Sequence, residues 1–138
     1  MIDIKTFDVA TEGRTDIINI TRIIDEMVKS SKIKSGLVNV FVAGSTAGVT
    51  TIEYEPNLIK DVKNVLERIA PENADYEHHK TWGDDNGSSH VRSTLIKPSM
   101  VIPFKDKNLL LGTWQQVVLI DFDTKPRKRE IVLTIIGE

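Results

Sequence analysis

The chain contains no cysteine. That excludes a disulfide framework, a thiolate metal site and a cysteine nucleophile, and it suits a reducing cytoplasm. Aromatic residues are few, at 6% of 138. No apolar run approaches the roughly 18 residues that span a bilayer, and Met1 to Ala10 lacks the basic start and apolar stretch of a signal peptide. A basic excess is absent too: the net charge is -2. Proteins that grip a nucleic-acid backbone carry a cationic surplus, so that partner is not expected. Neither a repeat nor a low-complexity segment occurs. What remains is 40% hydrophobic and 28% charged, a composition and length expected of one cytoplasmic globular domain over residues 1–138.

Periodicity supplies the elements. Ile2, Ile4, Phe7 and Val9 suggest a first strand, and Ile17 and Ile18 a short second one. Ile20, Ile23, Ile24, Met27 and Val28 have helical spacing, predicting a helix near residues 20–32 with Asn19 or Thr21 as its cap. Leu37 to Ala43 reads as a buried strand and Val49 to Tyr54 as another. Pro56 opens a helix over residues 56–69, whose apolar face is Leu58, Ile59, Val62, Val65, Leu66 and Ile69. Glu72 to Asn86 is polar, and Ser88 or Ser89 is expected to cap a short helix through Ile96. Past Pro98 the pattern returns to strands at 100–104, 109–111, 113–122 and 130–136, joined by short polar turns. The class expected is α+β: about seven strands, mostly antiparallel, in a sheet or sandwich with two main helices.

Some residues invite a chemical reading. His78 and His90 flank the polar loop, and Glu53 ends a strand. Two imidazoles and a carboxylate form a familiar set for a divalent ion, zinc, manganese or magnesium; the plain alternative is a pair of hydrogen-bonding loop residues. His79 reads as solvated. The Gly44-Ser45-Thr46-Ala47-Gly48 turn offers N–H groups and the Ser45 and Thr46 hydroxyls to a phosphate, or is simply a tight hairpin. Trp114 suits a core. Gln115, whose amide needs partners, suits a ligand or subunit contact. Arg127, Lys128 and Arg129 read as a solvated strand edge, or else Arg127 and Arg129 share one face and fork a phosphate. Asp61 either assists a metal or complements its helix dipole.

Four segments carry a family resemblance: Gly44 to Pro56 with Asp61; Tyr76-Glu77-His78; Asn86 to Arg92; and Leu111-Gly112-Thr113-Trp114-Gln115-Gln116 continuing through Asp121 to Arg129 and Ile136-Gly137-Glu138. Together they resemble the YjbQ-like family, in its archaeal-type branch. The resemblance implies a compact α+β fold, a homotrimer with a site near the subunit contacts, and a secondary thiamine-phosphate synthase activity that joins a pyrimidine diphosphate to a thiazole phosphate. Glu53, His78 and His90 would then be catalytic and metal-binding, with Ser45, Thr46, Gln115, Arg127 and Arg129 holding a phosphorylated small molecule. Many bacterial members have a histidine at the position of Gly44. A non-catalytic homotrimer binding a small anion or a partner protein is the alternative expectation.

Overall fold

The computed structural model describes residues 1–138. Its elements run β1 (Ile2–Thr11), β2 (Asp16–Asn19), α1 (Thr21–Ser30), β3 (Gly36–Val42), β4 (Ala47–Glu53), α2 (Pro56–Ile69), α3 (His79–Trp82), α4 (Gly87–Ile96), β5 (Ser99–Lys105), β6 (Asn108–Leu109), β7 (Gln115–Asp121) and β8 (Arg127–Gly137). The α+β class and the antiparallel pairing agree with the sequence. Every strand pair is antiparallel. The strands divide into a five-stranded sheet, β1-β8-β3-β5-β6, and a three-stranded sheet, β2-β7-β4.

The two sheets face each other. Alternate residues of β3 and β8 (Val38, Val40, Val42; Ile131, Leu133, Ile135) meet Val49, Val117 and Leu119 of the small sheet, and α1 closes the side with Ile24 and Val28. The other face of the small sheet carries Ile17, Val118, Ile120 and Phe122. On it lie Ile59, Val62 and Leu66 of α2 and Ile96 of α4. The small sheet is therefore covered on both sides, whereas the outer face of the five-stranded sheet has no layer on it. No helix is long and apolar enough to cross a membrane.

Several local expectations shift. Neither Asn19 nor Thr21 is the cap of α1, whose N-cap position is Ile20; Asn19 lies one residue before it, and its Oδ1 accepts the Thr21 N–H at 3.1 Å and the Thr21 hydroxyl at 2.7 Å. Neither Ser88 nor Ser89 caps α4; both sit inside it and are buried. The helix is held by polar anchors instead. Ser89 Oγ donates to the Phe122 carbonyl, Ser93 Oγ to the Ala47 carbonyl, and Arg92 to Ala70, Thr15 and Glu67. Close approach is possible because β4 has Gly48 beneath the helix, where a Cβ would lie 2.8 Å from Ile96 Cγ2. The strand expected at 109–111 is only Asn108–Leu109, since the following chain leaves the sheet. Trp114 is not core: it is 74% exposed.

The basic triplet is not a solvated edge. β8 lies between β1 and β3, and Arg127 and Arg129 belong to the strand itself. Both fall on its inward face and meet Asp123 and Asp121. Arg129 grips Asp121 with two bonds, 2.8 and 2.9 Å, and reaches Thr46 Oγ1 at 2.6 Å. Arg127 Nε bonds Asp123 at 2.8 Å. Thr11 donates to Asp121 at 2.5 Å. Only Lys128 turns outward, pairing with Asp8.

Candidate functional site

His78 precedes α3, and His90 sits in the first turn of α4. Their rings stack with centroids 4.5 Å apart and planes inclined by 37°. Three features bring them together. Backbone N–H groups of Thr81 and Trp82 bond the His78 carbonyl, fixing the start of α3. Gly87 lets the loop lie against the helix, because a Cβ there would stand 2.5 Å from Tyr76. The polar anchors of α4 then hold His90 in place.

Two buried polar atoms lack a partner, and both are here: His78 Nδ1 and Asn86 Oδ1. Buried polar groups are nearly always satisfied, so these two atoms have room for a water or a ligand as partner. The nearest carboxylate to His78 Nδ1 is Asp84, at 3.7 Å, beyond hydrogen-bond reach. His79 is not simply solvated: its Nε2 accepts the Gly87 N–H at 3.2 Å. That bond requires a free lone pair on Nε2 and so places the neutral ring's proton on Nδ1. A cleft of about 410 Å³ opens beside the loop, its walls including Arg14, Glu72, Asp75, His79, Asp84 and Asp85. Its size suits a small molecule. Its carboxylates favour a cation or a cation-bound ligand over a bare anion.

Glu53 does not join the histidines within one chain. It pairs with Gln115 at the far end of the small sheet, six residues along β4 from Ala47, where α4 is anchored. At about 3.4 Å per residue that is roughly 20 Å. Glu53 also has the parity of Ala47 and Val49, which face the large sheet, whereas α4 covers the opposite face. Accordingly, no three His, Asp or Glu side chains converge as a metal cluster. The two imidazoles fit attachment of an ion that accepts nitrogen ligands, such as zinc or manganese, and Asn86, whose Oδ1 is unpartnered, accepts the His90 N–H through its backbone carbonyl. They do not resemble the all-oxygen shell that magnesium prefers.

A family model described as UPF0047 protein YjbQ-like matches residues 5–138. The chain belongs to the YjbQ-like family. A UPF0047 protein of Methanocaldococcus jannaschii is 34% identical over 133 residues, covering 96% of this chain and 93% of that one. A UPF0047 protein of Methanothermobacter thermautotrophicus is 34% identical over 128 residues, 93% and 87% of the respective chains. Among solved structures, a hypothetical protein of Aeropyrum pernix superposes with a TM-score of 0.91 at 30% identity, covering 99% of both chains. A YbjQ-like protein of Sulfolobus solfataricus reaches 0.90 at 27% identity over the whole of both.

In this YjbQ-like chain the expected phosphate-holding residues separate into two groups. Gln115 and Thr51 lie beside Glu53, where Gln115 Oε1 accepts the Gly112 N–H and its Nε2 reaches Thr51. Arg127, Arg129 and Thr46 form an ionic cluster with Asp121 and Asp123, in which Arg129 is buried and Arg127 remains 42% exposed. Of the turn, Gly44 and Ser45 are exposed, whereas Thr46, Ala47 and Gly48 are buried. Burial works against ionisation of Asp121, but hydrogen bonds from Arg129, Thr11 and the Asp123 N–H outweigh it and hold its carboxyl below the ordinary range. Asp123 behaves alike: burial opposes, and bonds from the Thr124 N–H and Arg127 prevail.

Gly44 sits over this cluster with φ +136°, and a Cβ there would lie 2.7 Å from Arg129 Nη1. A side chain at this position therefore has no room without displacing Arg129. Asn86 and Asp84 are the site residues that sequence reasoning passed over. The signal was available, since Asn86 opens the third family segment, but an amide without its burial looks like any loop residue.

Proposed function

We propose that this YjbQ-like protein is a homotrimer acting in the cytoplasm on phosphorylated small molecules. In this reading His78 and His90, with Asn86, hold a divalent ion, and a secondary thiamine-phosphate synthase activity is among its reactions. The supporting observation is the stacked histidine pair, in which His78 Nδ1 is buried without a partner, as is Oδ1 of Asn86 just before α4. In such a reaction the bond from the pyrimidine's methylene carbon to diphosphate breaks and a bond from that carbon to the thiazole nitrogen forms, with diphosphate leaving. A bound ion would neutralise charge on the leaving group. The protein's own part is to orient the ion through the imidazoles and to present Ser45 and the Arg14 guanidinium to phosphate oxygens.

The test is a screen of pyrimidine and thiazole phosphates with zinc, manganese and magnesium supplied in turn. Turnover that requires an added ion and disappears in His90→Ala supports the reading. Absence of product with every ion, alongside measurable ligand affinity, selects the second reading: a homotrimeric binding protein. That reading draws support from Arg127 and Arg129, whose charge is already matched by Asp123 and Asp121, and from the placement of Glu53 away from the histidines.

A further inference from the structure

The cleft beside the histidine pair is walled by charge of mostly one sign. Glu72, Asp75, Asp84 and Asp85 line it against a single arginine, Arg14, and neither His78 nor His90 borders it. Arg14 is already engaged, with Nη1 3.0 Å from Glu72 Oε2. Asp84 and Asp85 lie 3.7 and 3.6 Å from the Nδ1 atoms of His78 and His79, beyond hydrogen-bond reach. Asp75 has no ion-pair partner. Three carboxylates are thus left unmatched around a space of about 410 Å³.

A buried hydroxyl opens onto the same space. Ser88, in the first turn of α4, lines the cleft and is only 3% exposed. Its Oγ has no partner within the chain, whereas the Ser89 and Ser93 hydroxyls each hold a backbone carbonyl. The polar side-chain atoms sealed from solvent without a partner are His78 Nδ1 and Asn86 Oδ1 alone, so the Ser88 oxygen faces the cleft. Buried polar groups ordinarily have partners, and this one is free to accept a donor from a ligand. The walls are held in place on both sides. The Arg14 N–H bonds the Asp123 carbonyl at 2.7 Å, and Arg92 grips the Thr15 hydroxyl next to it. Opposite, the Tyr76 hydroxyl donates to the Pro71 carbonyl at 2.6 Å. A cleft fixed before binding loses little freedom when a ligand enters.

The geometry points to a binding site for a short linear aliphatic diamine or polyamine in its ammonium form. The unmatched carboxylates repel an anion. A single metal ion needs its oxygen ligands within about 2.6 Å of one point, and no three His, Asp or Glu side chains converge in that way. Charges set apart around a cleft match charges set apart along a chain. Ala74 is the one apolar residue of the wall, which leaves room for short methylene spacers and no surface for a large hydrocarbon body. Each primary ammonium carries three donors, enough for a carboxylate and the Ser88 oxygen together. The site is separate from the histidine pair and does not depend on an ion there.

Calorimetry with 1,4-diaminobutane and with spermidine tests it. Spermidine should bind roughly tenfold or more tighter than butylamine or magnesium, with affinity falling as salt rises. Asp75→Asn/Asp85→Asn should weaken it by roughly tenfold or more, since each exposed pair contributes up to about fivefold. Ser88→Ala breaks no existing bond and should weaken it about threefold or more. Arg14→Ala should tighten it, because the substitution releases Glu72. Circular dichroism confirms that each variant is folded. His90→Ala should leave amine affinity within about twofold, which separates this site from the metal reading. Absence of binding by either amine at millimolar concentration overturns the site. So does magnesium binding as tightly, unchanged affinity in the double variant, or an equal loss in Asp8→Asn/Glu26→Gln, whose carboxylates lie elsewhere. Weaker binding in Arg14→Ala overturns it too, since a cation gains nothing from that guanidinium.

Discussion

Replacing Arg129 with methionine isolates the energetics of the ionic cluster. Asp121 is completely buried, and the Arg129 side chain is 9% exposed. The substitution keeps most of the side-chain volume but strips Asp121 of two charge-assisted bonds. The Thr11 hydroxyl and the Asp123 N–H remain, insufficient for a buried carboxylate. Removing one member of a buried pair costs about 3–5 kcal/mol, whereas an exposed pair is worth about 0–1 kcal/mol. For a chain of this length each kcal/mol is worth roughly 3 °C, so the thermal midpoint should fall by about 10 °C or more.

The pH dependence has a defined sign. In the wild type the folded Asp121 carboxyl is held below its unfolded value of about 3.9. Its stabilisation is present above that value and fades as pH falls through the folded one. Without Arg129 the effect of burial dominates and the carboxyl moves upward, so acid unfolding should begin at higher pH. Adding Asp121→Asn should recover part of the loss, because a neutral pair leaves no stranded charge. Differential scanning calorimetry at pH 7 and an acid titration followed by circular dichroism measure both effects. A midpoint within about 2 °C of wild type, with an unchanged acid transition, would refute the buried-pair argument.

Calorimetric titration with zinc or manganese should show binding that His78→Ala and His90→Ala each abolish or weaken at least about tenfold, with Glu53→Gln leaving a single chain's affinity unchanged. Gly44→His should cost about 1–3 kcal/mol of stability, read in urea unfolding as a lower midpoint, because φ is positive there and Arg129 must move. Trp114→Ala should leave stability within about 0.5 kcal/mol in monomeric protein, as expected of an exposed side chain. Arg127→Ala should change phosphate affinity less than about twofold in calorimetry, since Asp123 already occupies its fork.

The sequence by itself determined the elements with strong periodicity. Helix α2 emerges at residues 56–69 because Pro56 fixes its start and apolar residues recur on one face. Strands β3, β5 and β8 are legible from alternation or β-branched runs, and the family follows from the Gly-Thr-Trp-Gln string and its companions. Helix α4 is legible only in outline because its inward face is Gly87, Ser88, Ser89, Arg92 and Ser93. Such a face is buried through hydrogen bonds rather than through apolar spacing. The proximity of His78 and His90 was suggested by motif; the stacking itself depends on where α4 is anchored to β4 and β7.

Only the tertiary structure decided the rest. It placed β8 in the interior of a sheet, turning a basic triplet into one buried ion pair, one half-exposed pair and one surface lysine. It put Glu53 and the histidines on opposite faces and at opposite ends of the small sheet, a separation that linear spacing does not encode. It also left the outer face of the large sheet uncovered. The physical reason is common to all three. Periodicity reports which face of an element a residue occupies, but which element lies against that face depends on strand order and register, which are set by contacts between residues far apart in the chain.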